Sequence, residues 1–363
     1  MSVTLPSDLS GWLEAEASRL DTTDADAGVL PRLAQAGLFR IGVPAALGGS
    51  NGDVRGAVEA IAAVSRLSLA AGFVFWGHRT FIEYLLQSPN AALRDRLLPD
   101  LLAGRRAGAT GLSNAMKFLS GLEPLQVRSR RAEHGLRIDG KLPWVTNLQP
   151  AGFDVAAAID GDGHQPAFVA SLASEDEGLA RSPDLDLMAM RATSTAAIDI
   201  DDVRIGTDRI LHPNASVWLP KVRPAFLGLQ CAMAIGLAER ALLEVRARLA
   251  GGRDILAAPA DALANDLERA TAELLAGLPG DLFVERPAEL FRIRIRLAEI
   301  ANDAVQLELS ATGGKAYLCA PGAGFQRRLR EVAFIPIITP SLVQLKTALN
   351  THERRPVAAG STA

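Results

Sequence analysis

AAIDIDDVRI, residues Ala196 to Ile205, alternates apolar and polar side chains with a period near two. Successive side chains of an extended chain point to opposite faces, so the pattern reads as a half-buried β-strand. The runs LRIDGKLPWVTN, DVAAAID and PAFVASLA precede it, each short and bounded by Gly, Pro or Asp. On both sides the texture changes. From Ser7 to about residue 105 apolar residues recur at helical spacing, with Ser7 and Asp8 as a helix start. The Gly- and Pro-bearing stretch IGVPAALGGSNGD is the main interruption. From Ala215 the helical spacing returns in VRPAFLGLQCAMAIGLAERALLEVRARLA, ADALANDLERATAELLAGL and AELFRIRIRLAEIANDAVQLELSATGG. Helices, then strands of antiparallel type, then helices, in contiguous blocks, predict an α+β chain and not alternating βαβ units.

The bulk properties narrow the function. The chain has 363 residues, 48% hydrophobic and 22% charged, enough to bury a large core. A net charge of −3 offers no basic surplus for nucleic acid or an anionic membrane. Cys231 and Cys319 lie among apolar or small residues and are read as buried free thiols. The first twenty residues lack the basic start and apolar core of a signal peptide. No uninterrupted apolar run approaches the roughly 20 residues of a membrane span. A cytoplasmic protein is expected. Absent motifs exclude further classes: no G-x-G-x-x-G follows a strand, and there is no Walker A loop, H-E-x-x-H or paired C-x-x-C. Rossmann binding, phosphoryl transfer and a metal site have no anchor.

Four segments in order resemble the acyl-CoA dehydrogenase superfamily of flavoproteins. They are AGLFRIGVPAALGGSNG (Ala36–Gly52), IDGKLPWVTN (Ile138–Asn147), LMAMRATSTAAIDIDDVRI (Leu187–Ile205), and ATGGKAY with RRLRE (Ala311–Tyr317, Arg327–Glu331). The resemblance implies an N-terminal α-helical domain (1–106), a central antiparallel β-barrel (107–213), a C-terminal four-helix bundle (214–350) and a disordered tail (351–363). It also implies FAD as cofactor, and a homodimer or homotetramer whose cofactor cleft is completed by a second subunit.

Trp144 and Thr146 stand two apart on a predicted strand and should share a face, where an indole suits a flat ring and a hydroxyl a polar ring atom. The resemblance gives them flavin contact; as residues alone, they could equally cover the core. In the loop SNAMKFLSG it places Asn114 and Ser120 at cofactor-contacting positions. Gly313 and Gly314 would let backbone approach the cofactor, or would cap a helix. Arg253 could meet a pyrophosphate, or be a solvated helix-end arginine. Arg191 reads as a structural or domain-joining ion pair, and His78 as a satisfied core histidine that some family monooxygenases would place near flavin.

The superfamily's dehydrogenases abstract an α-proton with a carboxylate, a group whose pKa burial can raise. The match puts Thr339 at that position, Pro340 at the glycine after it and Ser341 at a flavin-contacting threonine. A threonine hydroxyl does not ionise at working pH. The second position used in the superfamily falls near Phe226, also without a carboxylate. Glu123 and Asp202 are other acids that could serve. Three readings stay open: an FAD-dependent dehydrogenase acting on the CH–CH group of an acyl thioester such as an acyl-CoA, a flavin monooxygenase or oxidase of the same fold, which the T-P-S segment resembles, and a non-catalytic flavin- or partner-binding member.

Overall fold

A computed structural model describes residues 3–23, 28–119, 121, 123–133, 135–163, 165–250 and 252–354. Helices α1 (Ser7–Thr22), α2 (Val29–Gln35), α3 (Val54–Ser65), α4 (Leu69–Leu86) and α5 (Ala91–Leu102) come first. The middle of the chain holds β1 (Ala107–Thr110), α6 (Ser113–Leu119), β2 (Val127–Ala132), β3 (Gly135–Val145), β4 (Phe153–Ile159), β5 (Phe168–Ala173), β6 (Leu179–Arg181), β7 (Ala196–Ile205) and β8 (Ile210–His212). Helices α7 (Ala215–Arg246), α8 (Ala257–Gly277), α9 (Leu282–Glu285), α10 (Pro287–Thr312), α11 (Cys319–Phe334) and α12 (Leu342–Arg354) follow. Local chemistry sets several of these starts. Asp53, Ser68, Asn90 and Asn214 each accept a first-turn amide, opening α3, α4, α5 and α7. The chain is thus mixed α+β, as its periodicity predicts.

The strands form two four-stranded sheets, ordered β1-β4-β5-β8 and β2-β3-β7-β6. A parallel bridge between Arg128 and Asp160 joins them. All named pairs are antiparallel except β1 with β4, which run parallel. That exception follows from topology: β1 enters directly from α5, and the chain passes through α6, β2 and β3 before β4 lies beside it.

Two helices organise the rest. Helix α4 is buried along almost its whole length, between α3, α7 and strand β1. Helix α7 packs on α3, α4, α8 and α10. By length and composition α7 could cross a membrane although its apolar run is interrupted, but most of its apolar stretch is buried inside the protein. A Cβ at Gly236 would stand 2.1 Å from the Ala62 carbonyl oxygen, so only glycine lets α7 and α3 approach this closely.

Three departures from expectation have simple causes. Cys231 is buried, but Cys319 is exposed, because it opens α11 outside the core. Residues 113–119 are helical instead of loop. Helix α12 continues to Arg354, past the start of the expected tail, and residues 355–363 lie outside the described ones.

The RRLRE segment of α11 ties the layers together. Arg327 Nη1 donates to Glu331 Oε1 at 2.8 Å, and the Leu69 amide that begins α4 donates to the same oxygen at 3.2 Å. Arg328 forks onto Glu308 of α10, its Nε 2.8 Å from Oε2. Arg330 Nε reaches Asp21 Oδ2 of α1 at 3.0 Å, while Asp21 Oδ1 accepts the Met190 amide from the sheet region at 2.9 Å. Asp21, Glu308 and Glu331 are fully buried. Desolvation pushes the Glu331 carboxyl up, despite the Arg327 charge beside it.

Removing one partner of such a pair strands a charge in low dielectric. Arg328→Met should lower the unfolding free energy by about 3–5 kcal/mol in urea melts, and adding Glu308→Leu should recover most of that loss. Equal losses in the single and double variants would mean that packing, not the ion pair, holds α11 in place.

Candidate cofactor and active site

The end of β3 and the turn before β7 lie side by side. The β3–β7 register is irregular between Leu142 and Val145, and β3 ends at Val145. Asn147 then turns the chain with φ 63°. The Thr146 hydroxyl donates to the Thr193 carbonyl at 3.2 Å, and the Asn147 amide donates to the same oxygen at 2.9 Å. The Thr193 and Thr195 hydroxyls bond each other at 2.8 Å. Met190 and Ser194, which flank this turn, also have positive φ, 54° and 48°. Three non-glycine residues in the left-handed region around one turn are a concentration of strain of the kind found at functional sites.

This geometry separates the two residues expected to share a face. Trp144 is 62% exposed, whereas Thr146 is 4% exposed. The strict alternation that would pair them fails because the irregular register and the end of the strand intervene. Trp144 presents open indole surface; the Thr146 proton is spent inside the protein, leaving only its acceptor capacity.

Helix α4 supports this corner. Asn147 Nδ2 donates to the Gly108 carbonyl of β1 at 2.9 Å, and the Gly108 amide donates to His78 Nδ1 at 2.9 Å. With Nδ1 accepting, the ring proton sits on Nε2 and is given to the Leu101 carbonyl at 3.0 Å. Burial lowers the His78 pKa to about 4, so the ring is neutral. His78 is a core brace for the strand behind Thr146.

The remaining expected residues divide. Asn114 clips its own segment: Oδ1 accepts the Gln126 amide at 2.9 Å and Nδ2 donates to the Pro124 carbonyl at 3.0 Å. Ser120 lies outside the described residues. Ser341 caps α12, accepting the Gln344 amide on its hydroxyl while its own amide donates to Gln344 Oε1 at 2.7 Å, the reciprocal pattern of a capping box. Arg253 is exposed, and its Nη2 lies 3.9 Å from where a Cβ at Gly313 would be, so those two positions come together. Gly314 faces open space. Arg191 pairs with Asp186, and the Met190 amide beside it donates to Asp21 of α1. Glu123 pairs with Lys117, and Asp202 with Arg130 and Arg137 on β2 and β3.

Thr339 is held through its backbone. Its carbonyl accepts Gln230 Nε2 of α7 at 2.9 Å. Arg294 Nε of α10 donates to Gln230 Oε1 at 2.8 Å, and Nη2 to the Ile335 carbonyl at 2.6 Å. Reading the sequence for chemistry overlooked this clamp. Its signal was there, a lone glutamine inside LGLQCAMAIG and an arginine between two isoleucines in FRIRIRL. Phe226 is buried, edge-on to Trp76 of α4 at 5.4 Å, and Trp76 stacks on Phe73, which meets Phe334 at 4.7 Å. Thr339 and Phe226, the two positions expected to hold a base, carry no carboxylate.

Residues 12–105 match the model of the acyl-CoA dehydrogenase N-terminal domain. Benzylmalonyl-CoA dehydrogenase of Aromatoleum aromaticum is 26% identical over 338 residues, 88% of each chain. Over most of its length the chain is thus similar to enzymes of acyl-CoA dehydrogenase type. Mitochondrial isovaleryl-CoA dehydrogenase of Pongo abelii is 24% identical over 196 residues, 52% of this chain and 46% of that relative's length, so this match spans less than half of it. Among solved structures, butyryl-CoA dehydrogenase from Megasphaera elsdenii superposes with a TM-score of 0.78 at 16% identity, over 98% of this chain and 100% of that one. Nitrososynthase from Micromonospora carbonacea var. africana superposes at 0.74 and 20% identity, over 95% and 94%. These likenesses establish the superfamily fold, shared by enzymes with different names.

A histidine kept neutral in the fold but protonated when unfolded destabilises the fold as pH falls. Below the ordinary value of 6.5 the unfolded chain takes a proton the folded chain refuses, until about pH 4. Wild type should lose stability relative to His78→Gln by about 1.4 kcal/mol per pH unit across that window; parallel pH curves would count against the neutral brace. Ser341→Ala should cost about 1 kcal/mol by loss of the cap while leaving cofactor content unchanged, which absorbance of the purified variant would check.

Proposed function

We propose that this chain is a flavin-dependent oxidoreductase that works without a carboxylate base at either position its superfamily uses, and so belongs with the monooxygenase or oxidase reading. The observation that supports it is the pair Thr339 and Phe226. One is held by its carbonyl to Gln230; the other is buried against Trp76. A positioned base is typically worth about 10²–10⁴-fold in rate.

The residues present fit a flavin. Trp144 offers exposed aromatic surface at the end of β3, and Arg253 beside Gly313 offers a guanidinium in the open, suited to a phosphate or the pyrophosphate of FAD. A flavin held by these residues, the Arg253–Gly313 corner coming from a second copy, would supply electron acceptance or, once reduced, reaction with oxygen. The chain's own part is to position and to keep dry. Phe73, Trp76, Phe226 and Phe334 build an apolar wall between α4, α7 and α11. A second copy of the chain meeting the open Arg253–Gly314 corner is part of this reading.

Dehydrogenation of an acyl thioester is the second reading, favoured by the end-to-end match to benzylmalonyl-CoA dehydrogenase. It needs a base from elsewhere. Glu331, the carboxylate nearest in sequence before Thr339, is fully buried and bonded to Arg327 and the Leu69 amide.

The purified protein should be yellow, and Trp144→Ala should lose most of its flavin. Under argon, butyryl-, isovaleryl- and benzylmalonyl-CoA should leave the flavin absorbance unbleached, whereas chemically reduced protein should reoxidise promptly in air. Rapid anaerobic bleaching by any of these thioesters would overturn the base-free reading, and a colourless protein would overturn the flavin reading itself.

A further inference from the structure

Arg223 of α7 is a cation without a counter-ion. It is half-buried, and no hydrogen bond or ion pair to it occurs among the described residues. Its Nε is fully buried and unpartnered. Its guanidinium carbon stands 5.3 Å from the centre of the Phe291 ring of α10, a cation–π contact that offsets part of the charge but satisfies no N–H. Desolvation is the only influence that shifts its pKa, downwards, as expected where no acid is within reach. Most other arginines of the helical layers have acids: Arg240 has Glu14 and Glu244, Arg328 has Glu308, Arg330 has Asp21. A guanidinium partly drawn from water with a buried N–H left unbonded is unfavourable, and a protein keeps one most readily where an anion arrives with a ligand.

Its location relates it to the site. Arg223 is one turn before Phe226 and two turns, about 10 Å, before Gln230 on α7. Residues seven apart on a helix share a face. On that face α10 supplies Phe291 to Arg223 and Arg294 to Gln230, whose amide holds Thr339. Pro220 and Pro224 flank Arg223 and lack amide protons, so α7 gives up two backbone bonds in this stretch. Helix α6, which carries Asn114, packs against α7 as well.

We propose that Arg223 is the anchor for an anionic oxygen group of the substrate, a carboxylate or a phosphate, held about two helical turns from the Thr339 position. The inference names the substrate chemistry of the site described under the proposed function, but its test requires no flavin turnover. Bidentate geometry matches both groups, and the Nη atoms, unlike Nε, are not enclosed.

The test is thermal melting of the protein as purified, with sodium phosphate, sodium glutarate, and sodium chloride at matched ionic strength. In wild type, phosphate or glutarate at tens of millimolar should raise Tm by about 2 °C or more over chloride. A response to phosphate alone assigns a phosphorylated ligand, and one to glutarate a carboxylate. Arg223→Gln should abolish the difference, and Arg223→Lys should retain part of it. If Arg223→Gln responds as wild type does, or no anion exceeds chloride, the anchor is overturned, whatever the flavin content proves to be.

Discussion

The buried ion pairs of α11 hold this structure in register. A single short stretch, Arg327 to Glu331, reaches the start of α4, the C-terminal part of α10 and, through Asp21, both α1 and the turn before β7. Apart from Arg330, which is one-third exposed, each charge is withdrawn from water and faces an opposite charge, an arrangement that tolerates little displacement because every misplacement leaves a charge unpaired. The consequence for function is positional. The segment from Ile335 to Ser341 emerges directly from this anchored helix and is then clamped again by Arg294 and Gln230. Thr339 is therefore placed by bonds that do not involve its own side chain.

A similarly satisfied frame surrounds the end of β3. Thr146, Asn147, Thr193 and Thr195 bond one another and, through Gly108, the neutral His78. This polar lattice is nearly closed on itself. Trp144, at its edge, is what faces outward. A rigid satisfied frame with one exposed aromatic is a reasonable platform for a planar cofactor, since the frame keeps its shape without help from the ligand.

Much of the architecture was legible in the sequence because periodicity reports burial directly. The alternation in AAIDIDDVRI and the helical spacing on both sides lead straight to the α+β order, and four ordered motifs lead to the superfamily. The site was legible less evenly. Trp144 and the pairing of Arg253 with Gly313 are where residue chemistry and spacing would put surface groups. Ser341 and Asn114, expected at the cofactor, are engaged in a helix cap and a loop clip, roles that a short polar side chain fills as readily as ligand contact. Thr146 misled because a strand's alternation ends with the strand, and the chain alone does not mark the irregular register at Leu142–Val145.

By itself the sequence determined the class of fold, the block order of its elements, and the absence of a carboxylate at Thr339 and Phe226. These are properties of local pattern and residue identity. Only the tertiary structure decided which polar groups were already spent. Satisfaction of a donor or a charge depends on partners far apart in the chain: Asp21 with Arg330, Glu308 with Arg328, Gln230 with Thr339. It also separated Arg294, whose Nε and Nη2 are bonded into a clamp, from Arg223, whose Nε has no partner. The two arginines look alike in sequence, and their difference is a matter of what the fold brings within three ångströms of each.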